Sequence, residues 1–306
     1  MPRLRLTALV SLAMLAFAGN SLLCRLALKH TTIDAASFTA VRLLSGALML
    51  WLVVRFRSAN APTAGAAAAA AARKDGSGGN WLSAFVLFVY AAGFSFAYVS
   101  MPAATGALLL FGAVQATMIG FGVWRGERLR VLQWAGLALA VAGLVLLMLP
   151  GLAAPSLQGA ASMVAAGVAW GVYSLRGKKT PKGLSGPEGQ YLPAADPTRV
   201  TANNFLRTVP MALLLGLVMV KHLSPDPAGM ALAVLSGALA SGLGYAIWYR
   251  VLPALKATQA ATVQLSVPVI AALGGVVLLG EALTGPMVLA ASAILGGIAL
   301  VILEKK

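Results

Sequence analysis

The sequence predicts an all-α membrane protein, with ten transmembrane helices in two inverted five-helix repeats. Three observations predict this. The composition cannot clothe a water-soluble surface, ten apolar runs are each long enough to span a bilayer, and the last five runs repeat motifs of the first five. Of 306 residues, 59% are hydrophobic and only 10% charged, with a mean hydropathy of +0.86. A soluble domain carries about 25% charged residues. Disorder requires low hydrophobicity and is excluded. Cys24 is the single cysteine, so a disulfide framework is excluded too.

A membrane helix needs roughly 20 apolar residues to cross about 30 Å of hydrocarbon. Between charges and turn residues the runs are Leu6–Leu28, Ala35–Val54, Trp81–Met101, Ala103–Trp124, Val131–Leu149, Leu157–Leu175, Val200–Val220, Ala228–Tyr249, Leu255–Leu279 and Gly285–Leu303. They are continuous rather than alternating, which argues against a β-barrel. In lipid the backbone must bond to itself, which leaves helices. Arg3 and Arg5, an apolar run and Ala16-Phe17-Ala18 imitate a cleaved signal peptide. Cleavage would remove the first helix and with it the repeat, so this run is read as the first span. Residues 57–80, with the Ala66–Ala72 run and a Gly/Ser stretch, and residues 177–198, rich in Lys, Gly and Pro, read as cytoplasmic linkers.

The net charge of +15 comes from 23 Lys and Arg against 8 Asp and Glu. With a cytoplasmic N-terminus, 18 of the cations fall in cytoplasmic segments and four (Arg25, Lys29, Arg42 and Lys221) toward the outside, with Arg207 inside a span. This is the positive-inside pattern, and it accounts for the high pI without a nucleic-acid partner. Both termini are expected in the cytoplasm.

The repeat is legible in Gly126-Glu127-Arg128-Leu129 and Gly280-Glu281-Ala282-Leu283, at an offset of 154 residues. At the same offset Gly143 meets Gly297. Phe17-Ala18 falls on Trp170-Gly171, and Arg42 on Arg207, with offsets shifted by the unequal linkers. Five helices per copy force the copies into opposite orientations. The repeats are residues 1–150, containing the 57–80 linker, and 151–306, containing the 177–198 linker. Inverted repeats with a site at their interface mark secondary transporters.

These motifs carry a resemblance. Phe17-Ala18-Gly19-Asn20, Ala40-Val41-Arg42, Gly126-Glu127-Arg128-Leu129 leading to Gly143, Ala169-Trp170-Gly171, and Ala257 through Pro268 to Gly280-Glu281-Ala282-Leu283 are similar to the ten-helix EamA-type branch of the drug/metabolite transporter superfamily. Phe17 stands where that family usually has Trp, and Val114 where its fourth helix usually has Pro. The resemblance implies a bacterial inner-membrane exporter of small metabolites, such as amino acids or related amphipathic compounds, working by alternating access. It also implies a central cavity bounded by the first, third, fourth, sixth, eighth and ninth helices.

No acid lies near the middle of a span, so a buried carboxylate proton relay is not expected. Glu127 and Glu281 sit at helix ends with Pro268 as a further helix-end element; either acid caps the next helix or takes part in coupling. Arg42 and Arg207 lie about 12 Å into their helices at 1.5 Å per residue. Each either snorkels or pairs structurally, or serves gating and the attraction of a substrate carboxylate. Arg25 and Lys29 are expected to snorkel at the outer end. The candidate substrate-binding set is Asn20, Tyr98, Gln115, Trp170, Tyr245, Trp248 and Gln264, aromatic faces and amides without a central acid, which describes a small-molecule pocket. An intramembrane enzyme would need a nucleophile–base pair or a ligand cluster, and a channel a ring of repeated charged or carbonyl motifs; neither pattern is present in the sequence. No catalytic residue, metal or cofactor is therefore expected. The expected partners are a small-molecule substrate and the lipid bilayer; a homodimer is left open.

Overall fold

The computed structural model describes residues 3–59, 78–126, 128–148, 155–177, 184–185, 191–192, 196–255 and 263–303. Within them the chain forms long helices: α1 (Arg3–His30), α2 (Ala35–Ala59), α3 (Trp81–Tyr98), α4 (Ala103–Trp124), α5 (Val131–Met148), α6 (Leu157–Gly177), α7 (Pro197–Val218), α8 (Pro227–Val251), α9 (Ser266–Leu279) and α10 (Gly285–Leu303). Two short strands, β1 (Leu184–Ser185) and β2 (Tyr191–Leu192), pair antiparallel between α6 and α7. Six helices, α1 to α4, α8 and α10, are long and apolar enough to cross a membrane, and α5 and α9 are apolar but shorter. In α6 and α7 the apolar run is diluted by Gly, Ala, Thr and Asn. Both pack on neighbours, α6 on α3 and α4 and α7 on α2 and α3, and small residues permit close approach there.

Helix starts follow side-chain chemistry. Asp34 caps α2 by accepting from the N–H groups of Ala36 and Ser37, both at 2.9 Å. Asn80 caps α3 through Ser83 N–H at 2.8 Å. Asp196 and Asp226 cap α7 and α8, each followed by a proline whose missing N–H is no loss at that position. Residues 252–254 form a 3-10 turn after α8, and of the expected Leu255–Leu279 span the structure describes helical residues 263–264, a turn at Leu265 and α9 from Ser266, with Pro268 in its first turn. Residues 256–262 lie outside the described chain.

The segment Leu235–Leu243 of α8 is wound as a π-helix. It is built from small residues, Ser236, Gly237, Ala240, Ser241 and Gly242 among them. π-segments are rare and frequently occur at functional sites.

The main helix packing runs across the middle of the chain rather than within each half. The principal pairs are α5 with α10, α3 and α4 with α6, α2 with α7 and α8, α1 with α8 and α9, and α4 with α9. The α5–α10 seam is glycine-lined. A Cβ on Gly136 would stand 2.6 Å from the Gly297 carbonyl oxygen, and one on Gly143 2.9 Å from that of Ala290.

The connections gather at two ends. At one, the Asp34 carboxylate accepts from Ser224 N–H at 2.7 Å, tying the α1–α2 turn to the α7–α8 turn, and Ser100 bonds Ser156 at 3.0 Å. Burial works against the Asp34 carboxylate, but the N–H groups of Ser224, Ser37 and Ala36 outweigh it and hold the carboxyl below its ordinary range. At the other end Asn204 accepts from Asn80 N–H at 3.0 Å, Arg57 pairs with Asp196 at 3.5 Å, and Gln133 on α5 donates to the Val301 carbonyl of α10 at 3.0 Å.

Candidate functional site

A cavity of about 20 Å³ lies between α1, α3 and α4 of the first half and α6 and α8 of the second. Its walls are Phe17, Asn20, Ser21, Tyr90, Phe94, Leu110, Phe111, Trp170, Ala240 and Tyr245. The aromatic rings form a connected shell. Trp170 stands 4.9 Å from Tyr90 and 5.0 Å from Tyr245, centroid to centroid, and stacks on Tyr173 at 5.6 Å. Phe17 meets Tyr245 and Trp248 edge-on at 5.7 and 5.9 Å. Offset and edge-to-face rings of this kind form a stable apolar wall. The volume holds about one water, far below the roughly 300 Å³ at which small-molecule pockets begin. The site is closed around its own rings.

The polar side of the wall is a small network. Ser236 on the π-segment donates to Asn20 Oδ1 at 2.6 Å, and Asn20 Nδ2 reaches the Tyr90 hydroxyl at 3.4 Å. That hydroxyl also accepts from Arg42 Nη2 at 3.1 Å. Arg42 is 2% exposed. Its guanidinium lies over the rings of Phe94, at 4.8 Å, and Tyr90, at 5.3 Å. Nε points to Ser241 of the π-segment at 3.4 Å, a long contact, and Nη1 has no acceptor among the described residues. Nor does any described carboxylate lie within ion-pair distance of it.

A second cluster sits at the end of the molecule where α3 turns into α4. Arg25 Nε pairs with Glu281 Oε1 at 3.0 Å, the two side chains being 12% and 9% exposed. Arg25 Nη1 donates to the carbonyls of Tyr98 and Val99 at 2.9 and 3.1 Å. Glu281 Oε2 accepts from Ala103 N–H, the first of α4, at 2.7 Å, and Lys29 donates to the Leu279 carbonyl. Gly280 makes this geometry available. It ends α9 at φ +61°, a left-handed conformation in which Glu281 N–H closes on the Gly275 carbonyl.

The EamA-like transporter family model matches residues 157–303, the half that supplies α6 to α10. The chain belongs to the EamA-like transporter family. An uncharacterized protein of Pseudomonas aeruginosa is 52% identical over 302 residues, spanning 99% of this chain and 96% of its own. A solved crystal structure superposes with a TM-score of 0.62 over 97% of this chain and 96% of that one, at 18% identity, which shows a common fold. This EamA-like chain is a multi-pass membrane protein of a transporter family.

Of the residues singled out in sequence, Asn20, Trp170 and Tyr245 meet in the EamA-like cavity wall, and Trp248 lies just behind it. Three do not line it. Gln115 lines a separate cavity of about 10 Å³ against α5 and α10. Tyr98 is buried one turn beyond Phe94 and donates to the Ala103 carbonyl at 3.3 Å. Gln264 lies half-buried just before α9. Arg207 also stands apart, donating to the carbonyls of Gly78 and Asn203 at 2.9 and 3.1 Å. Two expectations need correcting. Glu281 caps α4 rather than the helix that follows it, and Arg25 is ion-paired rather than snorkelling, because the turn after α9 folds back onto α1 and α4. Glu127 lies outside the described residues.

Tyr90, Phe94, Ser236 and Ser241 are absent from the sequence-derived set. Tyr90, Phe94 and Tyr98 recur every fourth residue, which places them on one helix face, and that spacing was the available signal. The serines carried none, since small residues in a membrane helix are commonplace. Among the described residues no three His, Cys, Asp or Glu side chains come together.

Proposed function

We propose that this chain is a secondary transporter of the bacterial inner membrane that exports small amphipathic metabolites, such as amino acids or related compounds, by alternating access between two inverted five-helix repeats. The observation that carries the reading is the location of the aromatic cavity, on the seam where both halves meet, as expected of a transporter binding site. The packing supports the inverted repeat. Exchanging each helix with the one five places along turns the α3–α6 contact into α8–α1, α4–α6 into α9–α1 and α2–α8 into α7–α3, all of which exist. The same exchange, at the 154-residue offset, turns the Gly136–Gly297 contact into Ala290–Gly143.

Orientation is supported by charge. Arg57, Arg125, Arg128, Arg176 and Arg199 gather with the end that holds Asn80 and Asp196, and the opposite end holds Arg25, Lys29 and Lys221. The cation-rich end faces the cytoplasm in this reading, with both termini there. In the transport cycle the closed cavity opens to one side at a time. The Arg25–Glu281 cluster latches the outer side, and the Asn80–Asn204 contact holds the inner one.

The test is counterflow in proteoliposomes loaded with a mixture of amino acids and monocarboxylates. Saturable exchange of labelled solute, reduced by Trp170→Ala with protein level intact, is expected. No counterflow for any solute, with the protein folded and inserted, would overturn the reading. Reporter fusions should find residues 57–80 and 177–198 inside and the segments near Pro155 and Asp226 outside.

A further inference from the structure

Resting on the transporter reading, we infer that Arg42 reads the charge of the substrate, and that the substrate class is a small solute bearing a carboxylate beside an apolar or aromatic group. Among the described residues the charges around Arg42 do not balance. A permanently charged guanidinium is fully buried in the helical core. Arg25, by contrast, has Glu281 as its counter-ion. Around Arg42 the described partners are all neutral: the Tyr90 hydroxyl, the Ser241 hydroxyl at 3.4 Å and the faces of Phe94 and Tyr90. Ring faces attract a buried cation less strongly than a carboxylate does, and buried charges are normally paired. Among the described residues Nη1 has no acceptor.

The cation also adjoins the cavity. Tyr90 and Phe94, the rings that hold it, are themselves cavity walls. The Tyr90 hydroxyl joins Arg42 to Asn20, another wall residue. Among the described residues, the hydrogen bond that the Arg42 side chain makes to the second half is the long one to Ser241 on the π-segment. When α8 draws away as the halves separate, that bond is the first to yield. A carboxylate then takes Nη1 in a charge-assisted hydrogen bond, and the apolar part of the solute lies against Tyr90, Trp170 and Tyr245. An ammonium-bearing solute without a carboxylate would meet a like charge there.

The experiment uses purified full-length protein in detergent and four matched pairs: benzoate and benzamide, phenylacetate and phenylacetamide, L-phenylalanine and its amide, L-leucine and its amide. The readouts are the unfolding temperature and tryptophan fluorescence, since Trp170 lines the cavity. At least one acid should stabilise saturably and shift fluorescence, its amide binding about 10- to 100-fold more weakly. Arg42→Gln should abolish that preference. Arg42→Met should unfold at or above the wild-type temperature, because it removes an unpaired buried charge. Should either variant fail to fold, the wild-type preference of acid over amide and a weakened but persistent preference in Arg42→Lys remain decisive. Equal response to acids and amides, no response to any acid, or an unchanged preference in Arg42→Gln would each overturn the inference. So would a saturable response to chloride that the acids do not compete with, which would mark an inorganic anion site. Counterflow of neutral solutes alone would sink the role of Arg42 and leave the transporter standing. Acid binding without any counterflow would do the reverse.

Discussion

Arg42 and Arg207 occupy aligned positions in the second helix of each half, yet their surroundings differ. Arg207 lies about midway along α7, half-buried, and donates to two backbone carbonyls. Arg42 lies in an aromatic cage, and among the described residues it touches only neutral groups and has no acceptor for Nη1. In the inverted repeat proposed above, the two copies share a backbone but not its chemistry: the proposed symmetry is kept where helices cross, in the α5–α10 glycines, and given up where a ligand would discriminate. A third arginine completes the comparison: Arg25 has the carboxylate that Arg42 lacks.

The largest expected effect comes from breaking the paired arginine. Glu281→Ala leaves Arg25 without its counter-ion and Ala103 N–H without an acceptor, and should cost about 3 kcal/mol. Thermal unfolding would measure this, and a cysteine introduced at Ser100 should label faster from the outside. Unchanged stability and labelling would mean that the cluster latches nothing. Next in size is the contrast between the aligned pair. Arg42→Gln should lower counterflow of carboxylate solutes by about 10- to 100-fold, and Arg207→Gln by less than about threefold, because exposed or backbone-bound cations contribute little. Similar losses in both would erase the distinction.

A third change would make Arg42 resemble Arg25. Ser241→Asp offers it a carboxylate from α8. The variant should unfold at a higher temperature and lose carboxylate transport, since the internal acid occupies the guanidinium. Raised stability with full transport would contradict the role given to Nη1. The smallest effect concerns the outer loops. Asp34→Ala removes the α2 cap and the tie to Ser224 and should cost about 1 kcal/mol. The carboxyl is held below its ordinary range in the fold, so its stabilisation is complete above the unfolded value near 3.9. It fades as pH falls through the lower folded value. A wild-type advantage over Asp34→Ala that persisted unchanged at pH 2 would refute this.

Much of the fold was legible because lipid imposes simple rules. Length, continuity and flanking cations located the helices to within a few residues, and Gly280-Glu281 marked a real helix end. The start of the ninth helix falls beside residues 256–262, outside the described chain, and a turn at Leu265 separates helical residues 263–264 from Ser266–Leu279. Within the site, Asn20, Trp170 and Tyr245 stood out as polar or amphipathic residues in apolar helices. Their neighbour Tyr90 could have been found from its four-residue spacing to Phe94 and Tyr98. Gln115 could not be oriented, because α4 is apolar on every side and so offers no face to read. The partners of Glu281 were invisible for another reason: Arg25 is 256 residues away in sequence, and only the folded chain joins them.

The glycine seam between α5 and α10 has a mechanical consequence. In the proposed cycle the two halves trade shapes, so every contact is carried onto its counterpart. Contacts such as α1–α9 and α4–α6 must then lengthen and shorten in turn. The Gly136–Gly297 and Gly143–Ala290 crossings are each other's counterparts, and the seam as a whole is carried onto itself. It keeps its place like the pivot of a see-saw while the arms exchange height. The helices that take no part in the cavity thus give the moving ones a fixed axis to turn about.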